Sequence, residues 1–145
     1  MKDKETKQKK LTIFCDGGAR GNPGPGAIGI AIYHQGNLVK SISKFIGRLV
    51  TNNQAEYQAI IESLNQAEKL RATHIHLKID SQLAQRQLTG QYKVKNAGIK
   101  VLWEKANRLI NNFQEVTLEH IPREKNKEAD KLVNEALCHL EKGSR

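Results

Sequence analysis

Four acidic residues scattered along the chain, Asp16, Glu56, Asp80 and Asp130, are of a type that does chemistry in company. Each has a structural account when taken singly. Asn53-Gln54-Ala55-Glu56 fits a capping box in which Glu56 reaches back to the first backbone N–H groups of a helix. Asp80 can initiate a helix that begins at Ser81, and Asp130 falls in the first turn after an Asn126 cap, where negative charge suits the helix dipole. Gathered at one place, the same side chains repel, raise one another's pKa and disfavour the fold unless cations neutralise them. No basic residue inside these motifs is placed to pair with each of them. An all-oxygen ligand set without His or Cys points to magnesium or manganese rather than zinc. Two such ions roughly 3.5–4 Å apart form a device for in-line displacement at phosphorus.

Whether the four meet depends on the elements that carry them. Leu11-Thr12-Ile13-Phe14-Cys15 is apolar and β-branched, which predicts a strand over about 10–16 that ends on Asp16; a second follows at about 26–34. Gln35-Gly36-Asn37 signals a turn, and Leu38 to Ile46 makes a third strand, so the first three form an antiparallel meander. Ala55, Ala59, Ile60, Leu64, Ala67 and Leu70 recur at helical spacing over about 53–70. Ile75, Leu77 and Ile79 then alternate with His74, His76 and Lys78 in a fourth strand that ends on Asp80. A short helix from Ser81 toward Leu88 precedes a longer one over about 98–111 bearing Val101, Leu102, Ala106, Leu109 and Ile110. Glu115 to Ile121 is a fifth strand ended by Pro122, and a last helix runs from Asn126 to about Glu141. The order βββαβααβα implies an α/β fold with a five-stranded mixed sheet flanked by helices. Asp16 and Asp80 then lie at the carboxyl ends of strands that can be neighbours.

The stretch Asp16-Gly17-Gly18-Ala19-Arg20-Gly21-Asn22-Pro23-Gly24-Pro25-Gly26 links the first two strands. Two readings stand side by side: a Gly/Pro hairpin connection with an Asp favouring the turn, or an acidic metal ligand beside a loop that a sugar-phosphate chain can approach closely. Strand-like sequence after Gly26 excludes a dinucleotide fingerprint, which needs a helix there, and the missing Lys-Ser or Lys-Thr excludes a phosphate-cradling P-loop.

With 145 residues, 38% of them hydrophobic and 27% charged, the chain fits one globular domain. Residues 1–9 read as a basic arm, 10–142 as the domain and 143–145 as a tail. A net charge of +9 predicts attraction to polyanions, with nucleic acid, anionic membrane and simple solubility all compatible with charge alone. No apolar run approaches the roughly 20 residues that span a bilayer. Cys15 and Cys138 form no CxxC pair and are expected as small core residues, which removes zinc and redox-motif readings. The N-terminus lacks the features of a secretory signal, and a reducing, cytoplasmic setting with a monomeric chain is the expectation.

The motifs Asp16-Gly-Gly-Ala-Arg-Gly-Asn-Pro-Gly-Pro-Gly, Thr51-Asn52-Asn53-Gln54-Ala55-Glu56, Asp80-Ser81-Gln82 and Arg123-Glu124-Lys125-Asn126-Lys127-Glu128-Ala129-Asp130 resemble, in order, the four motifs of type 1 ribonuclease H. The resemblance runs from about Lys10 to about Leu140. It implies a Mg²⁺- or Mn²⁺-dependent endonuclease that cuts the RNA strand of an RNA/DNA hybrid and leaves 5′-phosphate and 3′-hydroxyl ends. In that scheme Asp16 bridges two ions, Asp130 completes the one that activates water, and Glu56 with Asp80 holds the other against the leaving oxygen. The resemblance places Gly17, Gly18, Asn22, Asn52 and Gln82 at the RNA, and Thr51 and Asn53 at the DNA strand or its phosphates. Ser81 belongs to the third motif and is counted with the substrate contacts. Arg20, Arg86, Lys93 and Lys95 are phosphate partners or solvated surface charge. Other classes compatible with the residues are a non-catalytic hybrid- or RNA-binding domain of the same fold and a relative that also cleaves double-stranded RNA.

The chain departs from many members of that family in two places. A histidine in a glycine-containing loop before the last acidic helix is replaced by Pro122-Arg123-Glu124-Lys125, as in a subset with arginine there. Arg123 is assigned an electrostatic auxiliary role, since a guanidinium does not shuttle protons near neutral pH. His120 is expected as a strand residue in phase with Val116 and Leu118. The basic helical handle of some relatives is missing, with only Gln91 to Ala97 in its place, and Trp103 is expected in the core.

Overall fold

The computed structural model describes residues 7–143, with side chains described as far as residue 139. Most of the expected arm (residues 1–6) and the last two residues of the expected tail lie outside this range. Five strands, β1 (Lys10–Ala19), β2 (Gly24–His34), β3 (Asn37–Val50), β4 (His74–Ile79) and β5 (Glu115–His120), form one sheet in the order β3-β2-β1-β4-β5. Helix α1 (Asn52–Lys69) joins β3 to β4, α2 (Gln82–Leu88) and α3 (Ala97–Ile110) join β4 to β5, and α4 (Lys127–Gly143) follows a 3-10 turn at Arg123–Lys125. The first three strands are antiparallel neighbours, and β4 and β5 run parallel to β1, as the helical crossovers demand.

Alternation along the strands divides the residues between two faces. Leu11, Ile13 and Cys15 of β1, Ile28, Ile30 and Ile32 of β2, and Ile75, Leu77 and Ile79 of β4 share a core with Tyr57, Ile60 and Leu64 of α1 and Ile99 and Ala106 of α3. On the other face α4 lies over β1, β2 and β3, with Val133, Ala136 and Leu137 against Ala27. Gly29 permits that contact, because a Cβ there would fall 2.1 Å from the Ala129 carbonyl oxygen.

Several expectations change. Asp16 does not end its strand: β1 continues to Ala19, still paired with β2 as far as Ala19↔Gly26. What stops near Asp16 is the second partnership, since pairing with β4 runs only to Cys15↔Ile79. Glycine in both strands is tolerated here because the antiparallel ladder supplies the order that side chains do not. β3 reaches Val50 rather than Ile46, carried by the same ladder with β2. Cys138 is exposed rather than core, and Val101 is 63% exposed because the apolar stripe of α3 turns away from it. Trp103 is only half-buried against the core, with its indole N–H donating to the Gln87 carbonyl at 3.0 Å. Residues 89–96, where a handle would lie, contain no helix.

Candidate active site

Three elements bring three carboxylates together. Asp16 stands on β1 one residue past its last rung with β4, Asp80 is the first residue beyond β4, and Glu56 lies in the second turn of α1. One oxygen from each of the three lies within 4.8 Å of the others. The register of α1 is fixed by a capping box, but at Thr51 and Gln54 rather than at Asn53 and Glu56. The Thr51 hydroxyl accepts from Gln54 N at 3.1 Å, and Gln54 Oε1 accepts from Thr51 N at 2.9 Å. That leaves Glu56 free of the helix end, and its Oε1 accepts from Gly17 N at 3.2 Å. A Cβ on Gly17 would fall 2.1 Å from the Ala55 carbonyl oxygen, so its missing side chain lets α1 settle onto β1. Likewise Ser81, not Asp80, caps α2, with its hydroxyl accepting from Ala84 N at 3.1 Å.

Asp16 and Glu56 hold their protons unusually tightly. Burial raises Asp16 to about 7, helped by repulsion from Asp80 and Asp130 and a hydrogen bond with Asp80, and opposed by Arg123. Burial likewise raises Glu56 to about 9, with Asp16 and Asp80 adding to the shift and the Gly17 N–H working against it. Three oxygen donors whose charges oppose one another suit a hard divalent cation, which would displace these protons. Cys15 is no competitor: it lies in the core between sheet and helices, and burial pushes its thiol pKa up, keeping it neutral.

Asp130 stands slightly apart. It lines the same cavity of about 430 Å³ as the triad, together with Arg123, Asn52, Gly17, Gly18 and Arg20. Its side chain is 34% exposed, with Asn134 Nδ2 donating to Oδ2 at 3.5 Å and Arg123 Nη2 at 3.8 Å from Oδ1. One basic residue of the motifs, Arg123, therefore does approach one of the four acids.

The remaining expected residues divide. Asn22 and Asn52 tie the β1–β2 turn to α1: Asn22 Oδ1 accepts from Asn52 N at 3.0 Å, and Asn52 Oδ1 accepts from Ala19 N at 2.8 Å. Asn22, Thr51, Asn53, Ser81, Gln82 and Lys95 do not line the acidic cavity. Thr51 and Ser81 serve as caps, Asn53 is half-buried beside Thr51, and Gln82 and Lys95 are exposed. His120 is the exposed last residue of β5, also outside the cavity lining. Asn126 was expected as a cap, yet only its backbone carbonyl accepts from the helix, at Asp130 N. Its side chain turns into the sheet and donates to Asp80. Sequence reasoning missed that bridge and the Asn134 contact, although Asn126, Asp130 and Asn134 recur at the four-residue spacing of one helix face.

A family profile described as reverse transcriptase-like matches residues 14–136. A ribonuclease HI of Halobacterium salinarum is 40% identical over 129 residues, covering 88% of this chain and 64% of that protein. A bifunctional protein of Mycobacterium tuberculosis is 40% identical over 131 residues, 88% of this chain and 35% of its own length. The chain thus spans about a third to two thirds of these curated relatives. Among solved structures, the N-terminal RNase H domain of the mycobacterial protein superposes with a TM-score of 0.89 at 35% identity, over 95% of this chain and 100% of that one. LC11-RNase H1 in complex with an RNA/DNA hybrid superposes with a TM-score of 0.85 at 39% identity, over 90% of this chain and 98% of that one. With the sheet order, the carboxylate triad and these likenesses in agreement, the chain belongs to the ribonuclease H family.

Proposed function

We propose that this protein is an endonuclease that hydrolyses the RNA strand of RNA/DNA hybrids with two divalent ions, magnesium or manganese, leaving 5′-phosphate and 3′-hydroxyl ends. The observation that carries the reading is the meeting of Asp16, which is buried, with the partly buried Glu56 and Asp80, from three separate elements, in a cavity that also contains Asp130. The likeness to an RNase H1 solved with a hybrid supports the choice of substrate.

Asp16, Glu56, Asp80 and Asp130 would hold the ions. When bound, such ions lower the pKa of water and absorb charge on the leaving 3′ oxygen. The protein's own part is to keep these acids ionised and fixed once cations arrive, and to present the strand. Arg123, 80% exposed beside Asp130, would steady the phosphate by charge. Asn52 has its carbonyl occupied by Ala19 N–H, which leaves its NH2 as the donor for a ribose hydroxyl. Gly17, Gly18 and Arg20 line the same wall, and Asn22 braces it. Gln82 and Thr51, Asn53 and Ser81 would act further along the two strands, with Lys95 at a phosphate. Discrimination would rest on the 2′-hydroxyl and helix shape rather than on base edges. A monomer without zinc in the cytoplasm completes the proposal.

The test compares labelled RNA/DNA hybrid, duplex RNA and duplex DNA as substrates in Mg²⁺, in Mn²⁺ and in chelator. Metal-dependent cleavage confined to the RNA strand of the hybrid is expected. Binding indifferent to metal with no turnover would assign the chain to the non-catalytic class, and cleavage of duplex RNA would widen its substrate range.

A further inference from the structure

Asn126 sits between the 3-10 turn and α4 with 1% of its surface exposed, and its side chain does not cap the helix it precedes. Its Nδ2 donates to the Cys15 carbonyl at 2.9 Å and to Asp80 Oδ2 at 3.3 Å. Oδ1 has no hydrogen-bond partner among the described residues. Turning the amide over would point Oδ1 at a carbonyl and a carboxylate, both acceptors, so the orientation is dictated by the two bonds that need a donor.

The position of those two bonds gives them a purpose. Cys15 and Ile79 form the last rung between β1 and β4, and the next residues are Asp16 and Asp80. A single amide thus joins the backbone immediately before one carboxylate to the side chain of the other. A donor on one oxygen of Asp80 fixes the rotation of its carboxylate and leaves the second oxygen for the cluster. We propose that Asn126 is a positioning residue that sets the divalent-metal affinity of the site by holding the Asp80 carboxylate and the end of the β1–β4 ladder in register. The proposal rests on the metal-dependent reading above and deepens it.

Partners of this kind change metal affinity by about 10–100-fold when removed. The experiment titrates Mn²⁺ into metal-free protein, reading bound ion by electron paramagnetic resonance, and measures kcat and KM for hybrid across Mg²⁺ concentrations. Asn126→Ala and Asn126→Asp should each weaken Mn²⁺ binding by about tenfold or more and lower kcat at limiting Mg²⁺. KM for hybrid should stay within about twofold, and activity should recover as Mg²⁺ is raised. Asn126→Asp, the closer match in shape, should be no better than Asn126→Ala, because it faces the same two acceptors with another acceptor. Asn126→Ser, which keeps a hydroxyl donor, serves if either fails to fold by circular dichroism. Variants that melt earlier yet bind Mn²⁺ like wild type, or a loss that high Mg²⁺ does not restore, would overturn the assignment. If wild type itself neither binds Mn²⁺ nor cleaves, the nuclease reading fails instead, and the two failures are told apart.

Discussion

Two helices deliver carboxylates to the cavity, and they are gripped unequally. α1, with Glu56, buries Tyr57, Ala59, Ile60 and Leu64 in the main core and is capped reciprocally at Thr51 and Gln54. α4, with Asp130, rests on the second face through a smaller apolar cluster of Ala27, Val133, Ala136 and Leu137. The acid on the tightly held helix belongs to the triad; the acid on the other lies outside it, with its side chain a third exposed. The contrast teaches that the acids of one site can be carried by two helices packed on opposite faces of a sheet, each against its own apolar cluster.

The sharpest way to break that contrast is to neutralise one acid on each side. Asp16→Asn, in the triad, should reduce kcat for hybrid cleavage by about 10³-fold or more, corresponding to several kcal/mol of transition-state stabilisation, with hybrid binding retained. Asp130→Asn should cost less, about 10–100-fold, and regain more activity in Mn²⁺. Equal losses in steady-state kinetics would erase the distinction. Next come the two glycines on which the helices rest. Gly17→Ala forces a Cβ to 2.1 Å from Ala55 O under a helix that cannot retreat, and should destabilise by about 3 kcal/mol or more in urea unfolding. Gly29→Ala makes the same approach to Ala129 O, but α4 has less core to lose by shifting, so about 1–3 kcal/mol is expected. The reverse order would show that α4 is the better anchored.

The electrostatic form of the contrast is a pH dependence. The folded protein holds the Asp16 proton to about pH 7, whereas the ordinary value is 3.8. As pH rises through that window the unfolded chain loses this proton first, so metal-free stability falls, and Glu56 extends the fall toward about pH 9. Melting temperatures in chelator should therefore decline from pH 5 to 9 more steeply for wild type than for Asp16→Asn, and excess Mg²⁺ should flatten the difference. Parallel profiles in chelator would remove this account of the triad. The smallest effect is reserved for Arg123→Ala, a few-fold decrease in kcat without change in melting temperature. A loss comparable to Asp130→Asn would promote that arginine to a larger role.

Sequence patterning carried the architecture because each element declares itself locally. Ile75-x-Leu77-x-Ile79 can only be a one-faced strand, and the helical recurrence of Ala55, Ile60 and Leu64 admits no other period. The convergence of Asp16, Glu56 and Asp80 also followed, since topology alone puts those elements side by side. What stayed hidden depended on contacts between distant segments. The continuation of β1 beyond Asp16 is owed to its ladder with β2, which no propensity of Gly17 or Gly18 announces. The choice between Thr51 and Asn53 as cap is a two-residue shift that lies within the ambiguity of any polar run before a helix. Asn126 looked like a cap because its partners, Cys15 and Asp80, are 111 and 46 residues away.

The parting of β1 from β4 after Cys15 has one more implication. Adjacent strands in any sheet sit about 4.7–4.9 Å apart. Two acids emerging from neighbouring strands at the same level inherit that pitch as their separation, close to the about 3.5–4 Å between paired cations in phosphoryl chemistry. The spacing of the two backbones that carry these acids is thus set by the sheet's amide ladder, and the Asn126 side chain at its end fixes how the Asp80 carboxylate is turned.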